Sequence, residues 1–333
     1  MTDTDAHLTA LDQERFEKPS IDDVVLALRE LDPAPERAVS ATVVYGLSDL
    51  SASERRTLEA AWRQLQSLSR RRVLRALIEA SEAMFEMNYR EIALRALDDE
   101  DSLVRTAAIE LLWTDETVET MHRLISLAVD DPDSIVRAAA LKELGRFILL
   151  GEYGDIPDEA AREAQSLALR IHADRSQSLE ARRRALEALS NSSHPEVERL
   201  IREAYSDGNH DLKISAIFAM GRTCSKVWRD ILLEELDSAD SEVVFEAVTA
   251  CGQIQLDESV RRVGQMVTSE DREIQLSAIW ALGEIGGNHA FDILTSLEEM
   301  IEDEEAAAVV DEALDTAGFN RTVAALGLDF EDD

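Results

Sequence analysis

One short pattern recurs along this chain, and its fixed period constrains the fold more than any single residue does. An apolar or small anchor residue is followed by small or apolar residues four, five and eight positions later, and often by glycine at nine. The anchors are Val104, Val136, Ala181, Leu212, Val243, Ile274 and Val309, with weaker examples at Val39 and Val73. Three successive spacings, from Ala181 to Ile274, are 31 residues each. A period of this kind predicts an array of stacked supersecondary units.

Each period predicts two helices. Positions 0, 4, 8 and 11 of the pattern fall on one face of a helix, as expected for an amphipathic helix with one buried side. A short acidic turn, such as residues 130–133, precedes the strong anchors, and Asp side chains cap helix starts. Further apolar-periodic stretches occupy residues 115–129, 194–206, 225–237, 257–268 and 289–302. The sequence therefore predicts an all-α fold of about nine two-helix repeats.

The pattern resembles the HEAT-repeat family, in the short bacterial form also found in phycobilin lyases, where Asp-x-x-Val-Arg-x-x-Ala-x-x-x-Leu-Gly marks each unit. The best matches are residues 133–145, 212–221 and 274–283, and the resemblance covers roughly residues 20–319. It implies a right-handed α-solenoid whose second helices line the concave side. It also implies that the basic residue after the anchor, intact at Arg105 and Arg137, pairs with the turn Asp of a neighbouring unit. In the C-terminal half this pairing is in doubt, since Gln275 replaces the basic residue there.

The spacing between Val136 and Ala181 is 45 residues, which exceeds the local period and predicts a break in the array. We divide the chain accordingly into a disordered N-terminal arm, N-terminal repeats, a hinge or seam loop, C-terminal repeats and an acidic C-terminal tail or cap. These segments are residues 1–18, 19–150, 151–157, 158–319 and 320–333.

The charge of the chain restricts its partners. The net charge is −35 and the pI is near 4.4. Nucleic acids and anionic membranes are bound through basic surfaces, so we expect neither as a partner. No signal peptide or transmembrane run is found, and Cys224 and Cys251 match no disulfide or metal spacing. We therefore expect a cytoplasmic protein without metal or cofactor.

No catalytic motif stands out. The six histidines never pair at helical ligand spacing, and the sequence has no phosphate-binding glycine loop or nucleophile elbow. The acidic turns lack the glycine and distal glutamate of a calcium loop. We therefore expect no enzymatic activity.

Two arginine triplets interrupt the acidic background. They are Arg70, Arg71 and Arg72 in the N-terminal repeats, and Arg182, Arg183 and Arg184 in the middle of the chain. Acidic residues of adjacent repeats could neutralise them. Alternatively, guanidinium groups could anchor an acidic peptide or a phosphate group.

The sharpest functional signal lies at positions +2 and +6 of the second helices, which point away from the buried stripe. In three successive repeats these positions hold large apolar residues, namely Ile214, Phe218, Phe245, Leu276 and Trp280. Acidic residues precede the three anchors, at Asp211, Glu242 and Glu273. The last repeat reverts to Asp311 and Asp315. An exposed apolar patch of this extent is typical of a binding site.

Three alternatives compete with a binding site. Curvature of the array could bury the apolar residues, the C-terminal segment 319–330 could cover them, or large residues at +6 could be a habit of such repeats. We interpret the patch as a groove that holds a partner protein with apolar anchors and a basic rim, in a scaffold or adaptor. The family resemblance alone leaves open a phycobilin lyase or tetrapyrrole-handling protein. A structural assembly subunit is also possible, and the oligomeric state is open.

Overall fold

The structure, a computed structural model, describes residues 18–32 and 37–325, with side chains as far as Asn320. Within these residues the chain forms eighteen α-helices and no strand. It divides into two compact units, residues 1–143 and 144–333. Most of the expected N-terminal arm (1–18) and of the expected C-terminal tail (320–333) lies outside the described residues.

The helices of the first unit are α1 (Ile21–Leu31), α2 (Ala41–Gly46), α3 (Ala52–Gln64), α4 (Ser67–Ala83), α5 (Arg90–Ala96), α6 (Ser102–Leu111) and α7 (Val118–Asp130). Helix α8 (Ser134–Tyr153) contains the division between the units. The helices of the second unit are α9 (Asp158–Ala173), α10 (Leu179–Leu189), α11 (Glu196–Ser206), α12 (His210–Arg222), α13 (Arg229–Glu235), α14 (Ser241–Gln253), α15 (Val260–Met266), α16 (Arg272–Ile285), α17 (Gly287–Glu298) and α18 (Glu304–Ala325).

These helices form nine pairs, in which the odd-numbered helix comes first. The odd-numbered helices α7, α11, α13, α15 and α17 coincide with the apolar stretches found between the anchors, so the all-α array of two-helix repeats is confirmed. At the expected hinge, α8 continues to Tyr153, and Gly154 begins the turn to α9 with a φ of 76°. Only residues 154–157 of that segment are therefore loop.

A side-chain cap fixes the start of the second helix in most pairs. The backbone N–H of Leu212 donates to Asn209 Oδ1 at 3.1 Å, and that of Val104 donates to Asp101 Oδ1 at 3.1 Å. Each anchor thus lies three residues after its capping residue. Such a bond satisfies a backbone donor that has no partner within the helix.

The caps correct the register of three repeats. Helix α18 starts after Asp303, whose Oδ1 accepts the N–H of Ala306 at 2.8 Å, so Ala306 and not Val309 occupies the anchor position. Helices α2 and α4 begin directly after Ser40 and Gln66, which form no side-chain cap bond. The buried anchors that replace Val39, Val73 and Val309 are Val43, Ser69 and Ala306. Each error is three or four residues, about one helical turn, which leaves the same face of the helix buried.

The second helices of the second unit pack directly on one another. Helices α10, α12, α14 and α16 each contact the next second helix extensively, whereas the first helices contact theirs at few positions. Glycine at position +9 permits this approach: a Cβ atom on Gly283 would lie 2.8 Å from Ala313 Cα, and one on Gly252 would lie 2.9 Å from Ala281 Cα. The closer layer is the inner one of a curved stack, so the even-numbered helices form the inner face of this unit.

One of the two intact basic residues, Arg105, connects neighbouring repeats as the resemblance implied, whereas Arg137 Nη1 donates to the Asp131 carbonyl of its own repeat at 2.7 Å. Arg105 Nε and Nη2 each donate to the Asp131 carboxylate at 2.7 Å, and both side chains are buried. Arg105 Nη1 also donates to the Asp99 carbonyl at 2.8 Å. In the second unit Gln275 Nε2 donates to the Val267 carbonyl at 3.2 Å and its Oε1 accepts from Arg272 Nη1 at 2.8 Å, so no ion pair forms through residue 275. The charged ladder is thus weakened there.

Candidate functional site

The five apolar residues expected on the inner face lie on α12, α14 and α16, and all five are half-buried. Packing within the unit therefore covers only part of each side chain. With the corrected register, positions +2 and +6 of α18 are Ala308 and Glu312, and both are exposed. The large apolar residues at these positions thus end at α16. The alternative that the C-terminal segment 319–330 covers these apolar residues depends mainly on residues 321–330. Their side chains lie outside the described residues.

A pocket of about 150 Å³ opens on this inner face. Its apolar walls are Ile214 from α12, Phe245 from α14 and Ile274 at the start of α16. The polar residues that complete it are Ser241, Glu242, Glu246, Asp271 and Glu273. Four of the eight residues expected to bind a partner therefore meet in one pocket, namely Ile214, Phe245, Glu242 and Glu273.

The other four expected residues lie outside this pocket. Trp280 packs against the preceding inner helix, since its Cζ3 would be 2.8 Å from a Cβ atom on Gly252. Phe218 and Leu276 are half-buried elsewhere on the same helices, and Asp211 Oδ2 lies 3.8 Å from Arg183 Nη1. Trp280 therefore supports the stacking of α16 on α14.

Glu246 is the residue of this pocket that the sequence analysis missed. Burial in the pocket wall, aided by the negative charge of Glu187, raises its pKa to about 7. Arg183 and Arg184 act in the opposite direction. Among the described residues no hydrogen bond reaches its carboxyl group. Near neutral pH this carboxyl group therefore changes its charge readily, and a nearby cation would favour its ionised form.

The repeat register could have revealed Glu246. Position +3 holds Arg184, Ser215, Glu246 and Ser277 in four successive inner helices, so a lone carboxylate stands in a row of otherwise small or basic residues. Ser215 Oγ donates to Glu187 Oε1 at 2.7 Å, and Arg184 Nη1 donates to Glu187 Oε2 at 2.7 Å. Two hydrogen bonds thus fix the position of the Glu187 carboxyl group, whose negative charge acts on Glu246.

The first arginine triplet is engaged within its own unit. Arg70 is buried, and its Nη2 donates to Glu100 Oε1 at 3.0 Å. Arg71 Nε donates to Asp101 Oδ1 at 2.8 Å. Arg72 donates to the carbonyl of Arg37. Adjacent repeats therefore neutralise Arg70 and Arg71, and binding of an anion at this triplet stays a prediction.

The second triplet does not form one surface. Arg183 Nε donates to Ser215 Oγ at 2.9 Å and Arg184 Nε to Glu180 Oε1 at 2.8 Å, both on the inner face. Arg182 instead lines a separate pocket of about 230 Å³ with Arg175 and the buried His172. Burial lowers the pKa of His172, whose Nδ1 lies 2.9 Å from the Arg182 carbonyl oxygen. Anion binding by Arg182 also stays a prediction.

The described part of the chain contains neither a cluster of metal-ligand side chains nor a helix suited to cross a membrane. Nowhere in residues 18–32 and 37–325 do three or more His, Cys, Asp or Glu side chains gather in a group that could hold a metal ion. No described helix combines the length and apolar character required to cross a membrane.

Comparisons with known proteins agree with the repeat architecture. The family model for HEAT repeats matches residues 229–328, and no curated protein matches the chain. Among solved structures, Escherichia coli YibA is 18% identical, with 85% of this chain and 98% of that one covered and a TM-score of 0.44. The CpcE–CpcF complex of phycocyanin lyase from Nostoc sp. PCC7120 is 16% identical, with coverage of 68% and 94% and a TM-score of 0.45.

Human deoxyhypusine hydroxylase is 14% identical, with 90% of this chain and 96% of that one covered and a TM-score of 0.35. TM-scores below 0.5 at such low identity carry no argument about function. The family match, in contrast, covers six complete helices of the second unit, α13 to α18. It agrees with the resemblance of the repeated pattern, and residues 229–328 of the chain match the family of HEAT repeats.

Proposed function

We propose that the inner face of α12, α14 and α16 holds a segment of a partner protein, in an adaptor or scaffold without catalytic activity. The observation that supports this proposal best is the pocket in which the apolar walls Ile214, Phe245 and Ile274 are surrounded by four carboxyl groups. Apolar walls remove an anchoring side chain from water, while surrounding carboxylates select partners by charge.

The chemistry of the pocket specifies its occupant. Lysine and arginine side chains combine an apolar stem with a cationic head, which suits apolar walls and acidic groups together. A cation placed beside Glu246 would lower the pKa of its carboxyl group and favour the charged form. We therefore propose a partner segment with an apolar anchor and adjacent Lys or Arg residues. The net charge of −35 would steer such a basic segment towards this chain.

The cellular setting is part of the proposal. The same acidic surface opposes binding of nucleic acid, because that binding depends on neutralised phosphates. Cys224 and Cys251 are both free thiols, which is compatible with a reducing compartment such as the cytoplasm. The proposed function is thus protein binding in the cytoplasm.

Selection from a display library of random peptides tests the proposal with the full chain as bait. We expect the selected peptides to combine one large apolar residue with neighbouring Lys or Arg. Their affinities would then be measured by fluorescence anisotropy for the wild type and for Phe245→Glu. Because Phe245 forms a wall of the pocket, we expect this variant to bind about tenfold more weakly or worse.

The matched control is Phe85→Glu, the same substitution at a side chain that is 80% exposed in the first unit. It should leave peptide affinity unchanged. Glu242→Lys should weaken binding of the same peptides, since it reverses a charge at the pocket rim. Circular dichroism would verify that all variants keep their helices. Equal affinity of wild type and Phe245→Glu, or selected peptides without basic residues, would overturn the proposed function.

A further inference from the structure

The pocket of about 230 Å³ that Arg182 lines lies in the second unit, where the first helices α9 and α11 end. Buried side chains of α11 and α12, namely Leu200, Ala204 and Leu212, form its apolar wall. It shares no residue with the acidic pocket on the inner face. A ligand bound here would therefore be independent of the proposed function.

Arg182 offers unused hydrogen-bond donors to this pocket. Its Nε donates to the His172 carbonyl at 3.1 Å, which holds the side chain in place. Its Nη1 and Nη2 atoms have no hydrogen-bond partner among the described residues, and neither atom is enclosed in the core. Arg175 adds a second guanidinium group, which forms no ion pair within the described part of the chain. Free guanidinium N–H groups of this kind bind the oxygen atoms of carboxylates and phosphates.

The charged residues that line the pocket leave these two arginines only partly compensated. They are Arg175, Arg182, Arg199, Glu203 and Asp207. Arg199 is engaged, because its Nη1 lies 2.5 Å from Glu203 Oε1 and its guanidinium also pairs with Glu196 outside the pocket. Arg175 and Arg182 therefore face one remaining carboxylate, that of Asp207. Carboxylates elsewhere on this acidic chain act weakly here, because salt largely screens exposed charges more than about 8 Å apart.

His172 reports on the charge in this pocket. Its Nδ1 donates to the Arg182 carbonyl, which can only accept, so Nε2 is the unprotonated nitrogen of the neutral ring. Burial lowers the pKa of His172, the charges of Arg182 and Arg199 act in the same direction, and Glu203 opposes them. An anion bound in the pocket would also oppose the arginine charges and raise this pKa.

We infer that this pocket binds a small organic carboxylate, a monoanion with a short apolar body. Arg182 and Arg175 bind the carboxylate group, and the apolar wall of Leu200, Ala204 and Leu212 covers the body. One negative charge suits two arginines that face a single carboxylate. Inorganic phosphate suits the pocket less, since it brings up to two charges beside Asp207 and has no apolar surface to bury.

Isothermal titration calorimetry of the full chain tests this inference with benzoate, benzamide and inorganic phosphate. Benzamide has the shape of benzoate without its charge, and it should bind about 5- to 10-fold more weakly, because hydrogen bonds to an ion are about twice as strong as neutral ones. Phosphate should not displace benzoate at equal concentration. Equal affinity for benzoate and benzamide would overturn the inference, and displacement by phosphate would overturn the choice of a carboxylate.

Substitutions locate the site. Arg182→Gln should weaken benzoate binding about tenfold or more, and Arg175→Gln, at an exposed side chain, about 2- to 5-fold. Asp207→Asn should strengthen binding about 2- to 5-fold, because it removes the opposing charge. The matched control is Arg261→Gln, the same change at an exposed arginine of α15 outside this pocket, and it should leave the affinity unchanged. Unchanged affinity in Arg175→Gln and Arg182→Gln would overturn the inference.

Nuclear magnetic resonance titration of the six histidine rings gives a readout that needs no variant of the arginines. Benzoate should raise the pKa of His172 and leave those of the other five histidines unchanged, whereas benzamide should move none of them. A His172 pKa that saturating benzoate does not change would place the ligand elsewhere and overturn the inference.

Discussion

The raised pKa of Glu246 predicts an unusual effect of pH on stability. In the unfolded chain this carboxyl has a pKa near 4.5, whereas burial and the charge of Glu187 raise it to about 7 in the folded chain. The folded state therefore holds the proton more tightly. The stabilisation is complete below the unfolded pKa and is lost as the pH rises through the folded pKa. Glu246→Gln removes this dependence, because the amide does not titrate.

The magnitude follows from the two pKa values. One pKa unit corresponds to about 1.4 kcal/mol, so the rise from 4.5 to about 7 sets an upper limit of about 3 kcal/mol. The carboxyl group is only half-buried, and water reduces the effect. We therefore expect Glu246→Gln to stabilise the chain by about 1–2 kcal/mol more at about pH 8.5 than at about pH 5.5.

Urea denaturation at these two pH values, followed by circular dichroism, measures the difference. Glu242→Gln serves as the control, since it removes a carboxylate from the exposed rim of the same pocket and should change stability little at either pH. Equal effects of Glu246→Gln at both pH values would refute the reasoning. A titration of the Glu246 carboxyl carbon by ¹³C nuclear magnetic resonance with a midpoint below about pH 5 would do the same.

Two further predictions concern the array itself. Gly283→Ala should destabilise the second unit by about 1–3 kcal/mol, because the new Cβ would lie 2.8 Å from Ala313 Cα and a backbone atom yields little. Gly318→Ala places its new Cβ where no atom lies within 4 Å, so this control should stabilise the folded chain by about 0.5–1 kcal/mol. Urea denaturation midpoints that shift in the same direction for both variants would contradict this contrast. Arg105→Ala should cost about 3–5 kcal/mol, because it leaves the buried Asp131 carboxylate without its counter-charge. Arg123→Ala breaks an exposed ion pair and should cost at most about 1 kcal/mol in the same denaturation assay, so comparable losses would refute the role assigned to burial.

Much of the fold follows from the sequence because helical periodicity and capping are local properties. The 31-residue spacing and the buried stripe of α16 (Ile274, Ala278, Leu282 and Ile285) could be read without tertiary contacts. The weak repeats show the limit of this information. A stripe repeats every three or four residues, so Val309 and Ala306 present the same face, and only the bond from Ala306 to Asp303 decides between them.

The candidate site was predictable in part for the same reason. Helical geometry alone directs Ile214 and Phe245 to the inner face, and the neighbouring carboxylates were visible at fixed offsets from the anchors. The sequence could not show that Trp280 packs over Gly252, or that Glu246 is buried near Glu187, because these contacts join residues from different helices.

The sequence by itself thus determined the helix pairs, their caps and the face that each helix buries, because residues within a few turns of one another fix these features. The tertiary structure alone decided the separation of Arg182 from Arg183 and Arg184 and the pockets between neighbouring helices. These features depend on how closely neighbouring helices approach, and that distance is set by side chains about 30 residues apart in sequence.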